Sequence, residues 1–387
     1  MNRKIDGIRK YIVKYFYTDD KKIYPLLSVR FFLFIFIFVH HCYNLVEIPI
    51  LRQPALAVSS FIILSGFLNG FIYINKDLSI KQSFDFVKKR IKKFYPLHFI
   101  MILIAIIISG VFNFSNIEQV QDFFKKLFCN LLLIQSWINK PDYYFSFNGV
   151  TWYLSTYLFL TFITIPILLL LKKINKTQRR NAYLILIAIL LFGITVIIVN
   201  SISMNKLDDR FCEFWIYIFP PSRIFEYIIG MIFGIICYNN KISFKFEKVI
   251  FTFLEICTLI MLYMYICNVS KIPHIYNYIN NRFNTWIIPV IIMIIVFSYH
   301  KGLISKILSM KVLVFLGEIS MYMYMIHQPL INIFSKSVGH TVHYRYFALY
   351  ILIITIIFSC IINKYEKNNN LIQKSVMKDK NRECKAK

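Results

Sequence analysis

Runs of about twenty predominantly apolar residues recur along the whole chain, separated by short polar stretches. That length is what a helix needs to cross a bilayer, where no water is present to satisfy the backbone. The pattern predicts ten membrane helices, at 24–46, 54–75, 94–113, 149–171, 181–200, 214–238, 249–268, 283–300, 312–334 and 346–363. The apolar piece Leu127–Ile138 is too short to count and is expected to be interfacial or re-entrant. The fold class expected is therefore all-α, a polytopic membrane helix bundle.

The basic residues set its orientation. With the N-terminus inside, the segments between spans on the inner side hold 33 of the 45 Lys and Arg and the outer ones hold 10, as the positive-inside rule demands. Both termini are thus expected in the cytoplasm. Counting 127–138 as a span would invert everything after it and place the basic loop Lys172–Arg180 outside. The organisation that follows is a basic, partly amphipathic segment 1–23 on the inner leaflet, a membrane domain 24–363 and a basic, disordered tail 364–387. The first apolar run is too long for a signal-peptide core and lacks a cleavage site, so it is expected to remain as a span.

Composition agrees: 58% of residues are hydrophobic and mean hydropathy is +0.58, values foreign to a water-soluble protein. The net charge of +26 raises the question of nucleic acid, but the basic residues form short clusters at span ends and no recognition motif, so no such partner is expected. Eight cysteines are scattered without metal-ligand spacing, and no metal is expected.

Against this background the polar residues inside spans stand out, because a charge at the bilayer centre costs about 2.5–3.5 kcal/mol on insertion scales. The first span carries Arg30 and His40-His41, the second Ser65-Gly66, the sixth Arg223 and Glu226, the seventh Glu255, and the ninth Glu318 and His327. Counted from the inner boundary, His41 and His327 are expected at similar depth, with Arg30 roughly 16 Å below His41 on the same helix. Arg223 and Glu226 are expected to form an intramembrane ion pair. Arg90 and Lys93, three apart at the cytoplasmic mouth of the third span, share a helix face suited to an anion, although a positive-inside anchor would look the same. Ser65-Gly66 reads first as close helix packing, and His327 equally as a structural hydrogen-bonding residue.

Five patches together resemble the acyltransferase-3 family of bacterial membrane proteins that O-acylate cell-surface glycans. Arg30, ten residues and His41 resemble its Arg-to-His signature. Phe61-Ile62-Ile63-Leu64-Ser65-Gly66-Phe67-Leu68 is similar to its second-helix Ser-Gly-Phe motif, and Arg90-x-x-Lys93-Phe94-Tyr95-Pro96 to its Arg-x-x-Arg-Ile-x-Pro motif. Arg223-Ile224-Phe225-Glu226 to Gly230 resembles its Arg-x-x-Glu-Phe-x-x-Gly segment. Gly317 and Ser320 leading to Tyr324, His327 and Pro329 resemble its closing helix. Two positions depart: Lys93 stands where the family has a second Arg, and Trp152 to Tyr157 resembles a Trp-Ser-Leu-x-x-Glu element with Tyr157 in the Glu position.

The resemblance implies a donor, acetyl-CoA or another acyl-CoA, entering from the cytoplasm with its phosphates on Arg90, Lys93 and Arg30. It implies a glycan acceptor reaching His41 from outside, with membrane lipids and envelope-glycan synthesis proteins as further partners and the bacterial cytoplasmic membrane as the location. His41 would act as general base, assisted by Arg30 and His327, since imidazole titrates near working pH. An acyl-imidazole intermediate is the alternative route. Ser65, Trp152, Arg223 and Glu226 would shape the site. Two readings of other classes use the same buried charges: a transporter or flippase for a polysaccharide or lipid-linked sugar, and a non-catalytic scaffold for envelope synthesis.

Overall fold

The computed structural model describes residues 23–42, 48, 51, 53–109, 114–204, 209–268, 284–337 and 344–386, so the basic segment expected at 1–23 lies outside the described residues except for Ile23. All regular structure among the described residues is helical. The principal helices are α1 (Tyr24–His41), α2 (Pro54–Tyr73), α3 (Gln82–Ser109), α4 (Ile117–Leu131), α5 (Trp152–Asn175), α6 (Arg180–Met204), α7 (Ile224–Asn239), α8 (Glu247–Asn268), α9 (Ile287–Ser298), α10 (Lys311–Ser337) and α11 (Tyr344–Ala386). Among the described residues eight helices are long and apolar enough to cross a membrane: α1, α2, α3, α5, α6, α7 with the turn before it, α8 and α11. The other two expected spans are also helical. Helix α9 is short at 12 residues, and α10 is long but carries Glu318, Ser320, His327 and Gln328. The chain is a multi-pass, all-α membrane protein.

Four expected boundaries shift, each for a local reason. Helix α1 ends at His41, with Cys42 in a turn. Helix α3 starts at Gln82, twelve residues early, because Lys and Arg are good helix formers and the Gln82 side chain accepts the Ser79 backbone N–H at 3.0 Å. The expected span 214–238 is broken: a π turn, Phe214–Ile218, precedes Pro220-Pro221, whose missing N–H groups end it, and α7 restarts after Arg223. Helix α11 runs on to Ala386, where a disordered tail is expected; residues 344–386 contain no Gly or Pro to stop it.

The piece Leu127–Ile138 does not cross. Helix α4 stops at Leu131, Leu133 takes a left-handed φ of 55°, and the side chains of Gln135 and Ser136 donate to the carbonyls of Thr151 and Trp152 at 3.0 and 2.9 Å. The chain therefore re-enters at the same end from which it left α3. At the opposite end the loops expected in the cytoplasm meet one another. Lys172 Nζ donates to the Lys76 carbonyl at 2.8 Å, Asn239 to Asn175 at 2.6 Å, and Asn181 to Asn240 at 3.1 Å.

Helices α2 and α7 make the closest packing in the bundle, and α1 lies against α10. The α2–α7 seam is built from glycines: a Cβ at Gly66 or Gly70 would strike the Tyr227 or Met231 carbonyl, and one at Gly230 or Gly234 the Ile63 or Phe67 carbonyl. Small residues are what allow membrane helices to approach this closely. Apolar side chains on α3, α6, α8 and α11, such as Ile107, Ile189, Phe253 and Ile357, are exposed and form the lipid-facing surface. Glu255, an isolated carboxylate within α8, accepts the backbone N–H groups of Gly302, Ile304 and Ser305 and so satisfies the start of the short helix Leu303–Leu308.

Candidate functional site

Helices α1 and α10 bring two imidazoles together. The rings of His41 and His327 lie 5.2 Å apart, centroid to centroid, and His40 packs edge-on to His41 at 5.2 Å. The equal depth expected from the sequence is thus what the geometry has. His327 is fully buried among Phe34, Phe38 and Tyr324; its Nδ1 sits 3.2 Å from the Met323 carbonyl, and its Nε2 has no hydrogen-bond partner among the described residues. His41, at the last turn of α1, is half-buried.

The proline two residues after His327 fixes what surrounds it. Pro329 has no N–H to give to the Met325 carbonyl one turn back, and that carbonyl instead accepts the Asn148 side-chain amide at 2.9 Å. The Tyr324 hydroxyl donates in turn to the Val150 carbonyl at 2.5 Å. The segment leading into α5 is thereby fastened to the turn of α10 that carries His327.

Below the imidazoles lies a cavity of about 230 Å³, lined by Arg30 and Ile37 of α1, Ser65 and Asn69 of α2, Arg90 of α3, Tyr153 and Tyr157 of α5, and Ser320 and Tyr324 of α10. Among the described residues its only charged lining residues are the two arginines. A second cavity, about 500 Å³, opens toward the end holding the basic loops and is lined by Lys93, Glu318, Tyr322, Glu366 and Lys367. Arg30, Leu68 and Ile72 line both, so the two adjoin at Arg30. The upper limit of the inner cavity is Ile37 and Tyr324; His41 and His327 are one helical turn and one side chain beyond it.

Arg90 is held firmly. Its guanidinium stacks on Phe86 at 4.2 Å, and it donates to the Tyr157 hydroxyl at 3.1 Å and to Asn69 Oδ1 at 2.5 Å. The Asn69 amide donates to the Tyr227 hydroxyl at 2.7 Å, and that hydroxyl shares a 2.7 Å hydrogen bond with Thr164. All of these partners are neutral, so among the described residues the positive charge of Arg90 has no counter-charge. Arg30 has no hydrogen bond or ion pair among the described residues. Among the described residues, then, two cations without counter-ions face one cavity, an arrangement chemically suited to an anion.

The remaining sequence candidates separate. Ser65 faces the inner cavity next to Gly66 of the seam. Arg90 and Lys93, expected to act side by side, divide between inner cavity and mouth. Arg223 and Glu226 form a completely buried pair, 2.6 Å apart, with Arg223 also donating to Ser59 at 3.1 Å and lying over Tyr217. They line neither cavity. Trp152 is buried against Tyr217 at the start of α5 and lines neither of these two cavities. Sequence reading missed Asn69 and the bond between Tyr157 and Arg90, and it named Tyr324 within the closing-helix motif without giving it a role. Asn69 was visible as a polar residue one turn after Ser65 in an apolar span, but nothing local told which residue it would meet.

Comparison with known proteins gives a consistent result. Residues 26–364 match a family model described as an acyltransferase domain, that of acyltransferase-3. An acyltransferase of Streptomyces mycarofaciens, MdmB, is 29% identical over 193 residues, which span 47% of this chain and 46% of that protein. The aligned stretch thus covers about half of either. No solved structure matches.

Proposed function

Since the chain belongs to the acyltransferase-3 family, we propose that it is a multi-pass acyltransferase of the bacterial cytoplasmic membrane. In this reading it moves an acyl group, in the simplest case acetyl, from acyl-CoA to a hydroxyl of a cell-surface or lipid-linked glycan. The observation that carries the reading is the pair of adjoining cavities with Lys93 at the mouth and Arg30 and Arg90 within, ending one aromatic side chain short of the His41–His327 pair.

The donor enters by the basic end, its phosphates on Arg30, Arg90 and Lys93, and its thioester points toward Tyr324 and the imidazoles. His41 takes the proton from the acceptor hydroxyl as its oxygen attacks the thioester carbon. The C–O bond forms, the C–S bond breaks, and the departing CoA sulfur recovers a proton. The buried Nε2 of His327, without a partner among the described residues, suits a hydrogen bond to the reacting hydroxyl or to His41. Tyr157, in the place of a family Glu, leaves the charge of Arg90 available to the donor, because a phenol holds the guanidinium without neutralising it.

Membranes carrying the protein, supplied with acetyl-CoA labelled in the acetyl group, should pass label to a glycan, and His41→Ala should lower the rate about 10²–10⁴-fold, the usual worth of a general base. No label on any glycan with the wild-type protein, or equal label with His41→Ala, would overturn the proposal.

A further inference from the structure

The mouth cavity holds a lysine that lies beyond the matched residues 26–364. Helix α11 continues past the span, and its next turn closes one side of the mouth with Glu366 and Lys367. Glu366 is already engaged, accepting the Tyr322 hydroxyl at 2.6 Å. Lys367 is held loosely: its Nζ is 3.8 Å from Glu318 Oε2, beyond hydrogen-bond distance, and its side chain is 60% exposed. Ion pairs of this exposure and length contribute little, so the ammonium can exchange partners at small cost. Across the cavity, Lys93 is exposed and makes no ion pair among the described residues. Two ammonium groups on different helices thus face one water-accessible space next to Arg30.

We infer that this mouth is a subsite for a phosphate monoester, bound between Lys93 and Lys367, with Lys367 leaving Glu318 for the ligand. Lysine is well suited to that task, as a mobile point charge facing a group that is nearly dianionic at neutral pH. Resting on the acyl-CoA reading above, the ligand is the 3′-phosphate of the donor. Coenzyme A has two separated anionic centres, and each of the two adjoining cavities offers cations to one of them: the pyrophosphate goes toward Arg30 and Arg90, and the 3′-phosphate stays at the mouth. Glu318 then acts as a competitor of the ligand for Lys367.

The test compares coenzyme A with dephospho-coenzyme A, which lacks only the 3′-phosphate, by titration calorimetry on the full chain in lipid nanodiscs. Wild type should bind coenzyme A about fivefold more tightly. Lys367→Gln should lose that preference while binding dephospho-coenzyme A unchanged, which also shows that the variant is folded. Lys367→Arg should keep the preference, and Glu318→Gln should strengthen coenzyme A binding alone. Equal affinity of wild type for the two ligands, or a preference that survives Lys367→Gln, overturns the subsite and leaves the donor reading standing. If wild type binds neither ligand, the donor reading fails and the subsite with it.

Discussion

Replacing Gly66 with alanine adds one methyl group at the point where α2 and α7 touch backbone to backbone. The new Cβ would overlap the Tyr227 carbonyl and press on its carbon and on the Met231 nitrogen, 3.0 and 3.1 Å away. Neither neighbour is a flexible side-chain end, so relief requires the helices to separate. Gly70, Gly230 and Gly234 hold the same seam at the same closeness, which makes separation at one position a separation along all of it. Overpacking of this kind costs about 1–3 kcal/mol, and a rigid seam places the change toward the upper end. Gly193 is the internal control: a Cβ there meets nothing within 4 Å, and alanine in a helix is favoured over glycine by about 0.5–1 kcal/mol. Melting in a mild detergent should therefore drop clearly for Gly66→Ala and stay level or rise for Gly193→Ala. Asn69 and Tyr227 hydrogen-bond across the same seam and position Arg90, so coenzyme A affinity should fall along with stability in Gly66→Ala. If both alanine variants melt together with wild type, the seam does not control the bundle and the packing argument fails.

Three further outcomes are expected. Arg223→Ala leaves the buried Glu226 carboxylate without its cation and should cost about 3–5 kcal/mol, whereas Arg223→Met combined with Glu226→Leu should regain most of the loss; detergent melting of the two variants separates the cases. Tyr157→Phe removes one of the two side-chain hydrogen bonds that hold Arg90 and should weaken coenzyme A binding about two- to tenfold, read by calorimetry; unchanged affinity would mean that Asn69 alone orients the guanidinium. Outside the spans, Asp122 is held below the ordinary carboxylate range by the hydrogen bond from Lys126 and, after it, that from Tyr143. A depressed folded value means that its contribution is whole above about pH 3.9, the unfolded value, and disappears as pH falls through the lowered one. Protease sensitivity of the 141–147 segment should accordingly be higher in Asp122→Asn than in wild type at pH 6, and the difference should shrink as the pH falls through the lowered value.

The helical, multi-pass character of the chain and the order of its apolar helices were legible because lipid imposes a simple length and polarity rule on each of them, although only eight of the ten expected spans are, among the described residues, helices long and apolar enough to cross. The rule reads polarity, not backbone continuity, which is why the Pro220-Pro221 break passed unnoticed within an apolar run and why α3 begins well before its apolar part. The pairing of His41 with His327 was foreseeable from depth counting, since both are carried by unbroken helices from the same boundary. The separation of Arg90 from Lys93 was not. Three residues on a helix share a face in projection, but their side chains are 4.5 Å apart along the axis, enough to fall on either side of the junction at Arg30. The Asn69–Tyr227–Thr164 chain joins three helices far apart in sequence, and such contacts leave no periodic trace.

The placement of Tyr324 draws the two halves of the site into one argument. Its ring lines the upper end of the cationic cavity, with Ile37, and lies 5.9 Å from the ring of His327, so an aromatic side chain stands between that cavity and His327. Its hydroxyl is tied to Val150, and two residues earlier Asn148 is tied to Met325, both within the segment that packs beside α4 at the outer end. A group bound at that outer end can therefore act on the ceiling through two hydrogen bonds and no intervening side chain. On the acyl-CoA reading proposed above, a thioester held below this ceiling would be kept from water. Joining the compartments only when the outer segment shifts would couple acceptor arrival to donor exposure, the order in which an acyl group can be passed across a membrane without being lost to hydrolysis.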